Sequence, residues 1–110
     1  MLDLQFRKIK PEREGQLRAW FAELNSRSEE VRATFHDEGV QHEQGFILPT
    51  SEGPVLVWAA QLNDPDEANR VFAKSSHPID IEHDRVLREC LDGRIALSPV
   101  LDVALAKGSS

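Results

Sequence analysis

The eight residues VLVWAAQL, Val55 to Leu62, constrain the fold of this chain most. Val55, Val57 and Ala59 fall on one face of an extended segment, and Leu56, Trp58, Ala60 and Leu62 fall on the other. A strand apolar on both sides must be central and covered twice. A single layer of helices covers only one face, so the other needs a second apolar surface.

The rest of the chain supplies one layer of helices. Leu2, Leu4 and Phe6 alternate with Asp3, Gln5 and Arg7, the period of two that marks a half-buried first strand over residues 2–9. Pro11 suits the first turn of a helix, where its missing N–H leaves no donor unpaired, and Glu12 and Glu14 favour the positive end of the helix dipole. Leu17, Phe21, Leu24, Ser28, Val31 and Phe35 continue one stripe, broadened by Trp20, as far as a stop at Gly39. Residues 42–48 and 55–62 then read as a hairpin around the Pro49–Pro54 loop.

Asp64-Pro65-Asp66-Glu67 predicts a helix start with Asp64 as the N-cap. Ser75 to Pro78 breaks that helix, since a residue preceding proline is disfavoured in helical geometry. A further stripe, Ile79, His83, Val86, Leu87, Cys90 and Leu91, runs to Gly93, and residues 94–105, interrupted by Pro99, suit an edge strand with a bulge. The order β, α, β, β, split α, β is the ferredoxin-like α+β plan with an antiparallel four-stranded sheet. One such domain occupies residues 1–106, with a frayed tail over 107–110. Its helices cover one sheet face, and pairing of the other face in a homodimer is the simplest way to bury the outer side of the Val55–Leu62 strand.

Two segments carry a family resemblance. RKIKPEREGQLRAW resembles the strand-to-helix entry of the dimeric α/β-barrel superfamily, whose ferredoxin-like subunits pack sheet against sheet. RKIKP together with SSHPIDIEHDRVLRECL resembles a small prokaryotic family, a domain of unknown function, over residues 6–91. The superfamily includes cofactor-independent monooxygenases, lactone isomerases, haem-degrading enzymes and ligand-sensing domains. The resemblance implies fold and dimerisation and carries no catalytic residue onto this chain.

Charge and cysteine usage exclude several partners. The 19 acidic residues exceed the 13 Lys and Arg by 6, a field that repels phosphate backbones and anionic lipid, so neither nucleic acid nor membrane is expected. Cys90 is the only cysteine, which rules out an intrachain disulfide and a multi-thiolate zinc site and fits a reducing cytoplasm. Asp3 and Gln5 interrupt any signal-peptide apolar run, and no stretch approaches the ~20 apolar residues of a membrane span.

His77, Asp80 and His83 form the most suggestive polar set. Asp80 and His83 share a helical face with His77 at its entry, a donor set suited to a divalent metal. The competing reading makes His77 the N-cap and Asp80 a carboxylate that reaches back to a free backbone N–H, and it needs no ion. No metal or other cofactor is therefore assigned. His83 lies within an apolar stripe, so it is either a neutral core imidazole satisfied by Asp80 or a backbone carbonyl, or a pocket acid/base. Trp58 and Arg7, on central strands, are either core or ligand-positioning groups. Cys90 reads as a small buried hydrophobe, and His36 and His42 as solvated.

A small-molecule-binding or structural module is the favoured function, because no nucleophile with its base and no phosphate-binding glycine loop is present. The alternatives are a cofactor-independent enzyme, monooxygenase- or isomerase-like, with His83 as acid/base, and a metal site at His77, Asp80 and His83.

Overall fold

A computed structural model describes residues 1–105; the tail assigned to 107–110 lies outside them. Four antiparallel strands, β1 (Leu2–Ile9), β2 (Val40–Leu48), β3 (Val55–Leu62) and β4 (Leu91–Ile95), form one sheet in the order β2-β3-β1-β4. Helices α1 (Glu14–Ser26), α2 (Ser28–Glu38), α3 (Pro65–Ala73) and α4 (Pro78–Cys90) complete the α+β ferredoxin-like arrangement. The Val55–Leu62 strand is central, as its composition requires.

Local chemistry sets most boundaries. Gly39 ends α2 with φ 70°, and a Cβ there would come within 3.0 Å of the Asn63 side-chain nitrogen. The Asp64 carboxylate accepts from the N–H groups of Asp66 and Glu67, capping α3 as expected. Pro78 starts α4 after the break that follows Ala73.

Three expectations need correction. The stripe from residue 14 to Gly39 is two helices, because Arg27 leaves helical geometry at φ −110°, ψ 38°. The Arg27 guanidinium spans the break by bonding Glu23, Glu30 and Glu82, an ion network that a hydrophobic pattern does not reveal. The last helix stops at Cys90 rather than at Gly93, which lies within β4. Residues 96–105 form no strand: after five residues beside β1 the chain leaves the sheet edge, and Leu97, Leu101 and Val103 stay exposed. The expected irregularity falls instead in the β1–β4 pairing, between Arg7 and Ile9.

Register assigns the two sheet faces. Asp3, Gln5 and Arg7 pair with Ala60, Trp58 and Leu56, so the polar side of β1 faces the helices. Leu2 and Leu4 of β1 and Phe46 and Leu48 of β2 face away and are 51–70% exposed. Beneath the helices the core is divided. Leu17, Trp20, Leu56, Ile79, Val86 and Cys90 belong to one cluster, and Val40, Ala60, Leu62 and Ala68 form a second.

Candidate functional site

A half-open cavity of about 180 Å³ lies between the two core clusters, roofed by α2, α3 and α4 and floored by the inner face of the sheet. Leu56 and Ile79 reach it from one cluster and Ala60, Leu62 and Ala68 from the other. A neighbouring hollow of about 290 Å³ beside α1, α2 and β2 shares Glu43 and Trp58 with it.

Four of the five residues singled out from sequence, Arg7, Trp58, Asp80 and His83, line this cavity, and His77 does not. His77 occupies the N-cap position of α4, but its side chain makes no capping bond. Its Nε2 instead meets Asp37 Oδ2 at 2.7 Å on the surface. Asp80 does not cap either: the carboxyl is turned into the interior, 7% exposed, and Oδ2 has no hydrogen-bond partner among the described residues. The three metal-candidate residues therefore face different partners, and no three described His, Cys, Asp or Glu side chains form a metal-holding group.

His83 is held by aromatic rings rather than by Asp80. The indole Nε1–H of Trp20 donates to His83 Nδ1 at 2.8 Å, and the two rings stack with centroids 6.0 Å apart. Trp58 lies at 5.7 Å and Phe72 meets the ring edge-on at 5.8 Å. In this apolar box the charged form is desolvated, which lowers the pKa to about 4 despite the nearby Asp84. The ring is neutral at pH 7 with its proton on Nε2, and it is a weak base.

The groups that titrate near neutrality are two glutamates not selected from sequence. Glu38, on the last turn of α2, is 8% exposed, and its Oε2 has no partner among the described residues. Burial first, and then the negative charges of Asp80, Glu43 and Asp37, together raise its pKa to about 8. Glu43, on β2, is raised to about 7, again chiefly by burial, with Trp58 pulling the other way and Asp80 adding a smaller rise. A periodicity signal for Glu38 does exist: it follows Val31 by seven residues and Phe35 by three, and so occupies a core position of the helix stripe. Glu43 shares an inward register with Ile47 and Gly45, which only the strand pairing reveals.

Arg7 sits at the other end of the cavity, its guanidinium donating to the backbone carbonyl of Asp92. Cys90 is fully buried and burial pushes its thiol up, as expected of a small hydrophobe. His36 and His42 are exposed.

A ferredoxin-like α+β subunit with an internal cavity, apolar in its walls and acidic at one end, is the class of protein this geometry defines. The chain belongs to a family of unknown function, DUF6176, whose model matches residues 3–107. No curated protein and no solved structure shows a significant match. Among the described residues no helix is long and apolar enough to cross a membrane.

Proposed function

We propose that the protein is a small-molecule-binding module, working as a homodimer, with its ligand held in the cavity between sheet and helices. One observation carries this reading: the cavity is walled mainly by apolar side chains, yet contains two buried carboxyl oxygens, Glu38 Oε2 and Asp80 Oδ2, without partners among the described residues. Each such oxygen costs about 1–3 kcal/mol of folding free energy, which core packing alone gives no reason to keep. A few convergent polar groups in an apolar hollow are the usual form of a ligand site.

The dimer rests on the open sheet face. Three strands of eight or nine residues and a fourth of five, at about 3.3 Å per residue and about 4.8 Å apart, present a projected area of roughly 475 Å² per copy, so two copies come close to the ~1,000 Å² scale of a specific interface. The exposed Leu2, Leu4, Phe46 and Leu48 make that area apolar, and a second copy supplies a matching apolar face, in the manner of the dimeric α/β barrels. The single, buried Cys90 suits a reducing cytoplasm.

An acid/base enzyme is the second reading. Glu38 near 8 and Glu43 near 7 favour it over the His83 version, because both exchange protons at neutral pH whereas an imidazole at about 4 does not.

NMR titration with benzyl alcohol, benzylamine and benzoate tests the ligand site. At least one probe is expected to shift the indole N–H resonances of Trp20 and Trp58 in the parent and not in Ala68→Leu, which fills the cavity. If none of the three does so and Ala68→Leu simply raises Tm, the hollow is a packing flaw and the binding reading fails.

A further inference from the structure

We infer that the acidic end of the cavity is a receptor for the ammonium group of a small organic amine. This rests on the cavity being a ligand site and names the class of ligand. Three elements bring carboxyls to one place: Glu38 from α2, Glu43 from β2 and Asp80 from α4. Asp3 of β1 lies opposite Ala60, which also pairs with Glu43, so the sheet adds a fourth carboxyl on the same inner face. Glu38 and Asp80 are more than nine-tenths buried, line the cavity and each keep one oxygen without a partner among the described residues. A carboxylate accepts on both oxygens and carries the opposite charge to an ammonium, which brings three donors and one positive charge.

The surroundings distinguish this ligand from the alternatives. Arg7 is the single cationic side chain among the described lining residues, and it stands four residues along β1 from Asp3, about 13 Å away. Its guanidinium is engaged by the carbonyl of Asp92. An anionic ligand would therefore meet uncompensated carboxyls at the acidic end. A bare divalent ion requires a closer shell of oxygens than the carboxyls form, since no described group of three is disposed to hold one. The remaining walls, Trp58, Phe35 and Phe72, suit an apolar body and offer ring faces that attract a cation. A hollow of about 180 Å³ accepts a body the size of a benzyl group, since a cavity of ~150 Å³ admits benzene.

Binding is coupled to proton release. Glu38 faces Asp37 on its own helix, Asp80 and His83 on α4, Glu43 on β2, and Asp3 and Arg7 on β1; α3 contributes only the neutral Pro65, Ala68, Asn69 and Phe72. Burial, with repulsion between the carboxylates adding to it, leaves Glu38 mostly protonated and Glu43 about half protonated at pH 7. An incoming ammonium offsets that repulsion, so a carboxyl proton leaves to solvent as the amine binds and affinity rises from pH 6 to pH 8.

Titration calorimetry at pH 7 with benzylamine and benzyl alcohol, in two buffers of different protonation enthalpy, tests this. Benzylamine is expected to bind at least about tenfold more tightly than benzyl alcohol and to release a proton fraction to the buffer. Glu38→Gln and, separately, Asp80→Asn should remove that preference while leaving benzyl alcohol affinity within about twofold. Equal affinity for the two probes, or a preference that survives both substitutions, overturns the amine assignment while leaving the cavity a binding site. Stoichiometric Mg²⁺ or Ca²⁺ binding that displaces benzylamine overturns it in favour of a metal. Failure of benzyl alcohol, benzylamine and benzoate alike to bind removes the ligand site itself, and the amine assignment with it.

Discussion

Trp20 Nε1–H donates to His83 Nδ1 across 2.8 Å, linking α1 to α4 between residues 63 apart in sequence. The bond leaves the imidazole neutral, with Nε2 as its donor, and stacks it on the indole at the edge of the cavity.

The partnership predicts coupling between these two residues rather than between His83 and Asp80. Trp20→Phe strands Nδ1 and loosens the core, at an expected cost of about 2–3 kcal/mol, and His83→Leu should cost about 0–2 kcal/mol. In a double-mutant cycle followed by urea unfolding, the Trp20–His83 coupling should reach about 1 kcal/mol and the Asp80–His83 coupling should be smaller. A larger coupling to Asp80 would return His83 to its carboxylate neighbour.

Stability should fall, not rise, as pH increases from about 5 to 8. Glu38, near 8 when folded and at its ordinary 4.5 when unfolded, keeps its proton in the folded state across that window, so its contribution is complete below 4.5 and lost as pH passes 8. Glu43 acts in the same sense up to about 7. His83, lowered to about 4, contributes in the opposite sense: its share is present above 6.5 and lost as pH falls through 4, which offsets one of the two glutamates between 4.5 and 6.5. Each uncompensated proton changes stability by about 1.4 kcal/mol per pH unit. Thermal melts should show Tm highest near pH 5, and Glu38→Gln should flatten the decline toward pH 8; an unchanged slope in that variant would place the titrating group elsewhere.

The open face predicts a dimer of twice the 12.4 kDa chain mass in light scattering at micromolar concentration. Leu4→Lys combined with Phe46→Lys places charge on that face without touching the helix side, and should yield a folded monomer. A monomeric parent would contradict sheet pairing.

Gly39→Ala should destabilise the fold by about 1–2 kcal/mol, measured by chemical denaturation, because its positive φ disfavours a side chain and the new Cβ crowds Asn63. Gly15→Ala, in α1 with nothing within 4 Å of its Cβ position, should be neutral or stabilising by up to ~1 kcal/mol.

Short-range signals determined the features that short-range physics governs. The Asp64 cap, the Gly39 stop, the Ser75–Pro78 break and the doubly apolar Val55–Leu62 strand each depend on a few neighbouring residues, and each is found where expected. The helix break at Arg27 and the exit of the chain after Ile95 depend on distant partners: Glu82 on α4 for the first, the reach of the β1 edge for the second. The face of β1 that meets the helices was set by register against β3, because alternation separates two faces without saying which is covered. The site was decided by the tertiary structure for the same reason. Glu38, Glu43 and Asp80 come from a helix, a strand and another helix up to 42 positions apart, and the burial and mutual repulsion that set their chemistry exist only once those elements pack around one cavity.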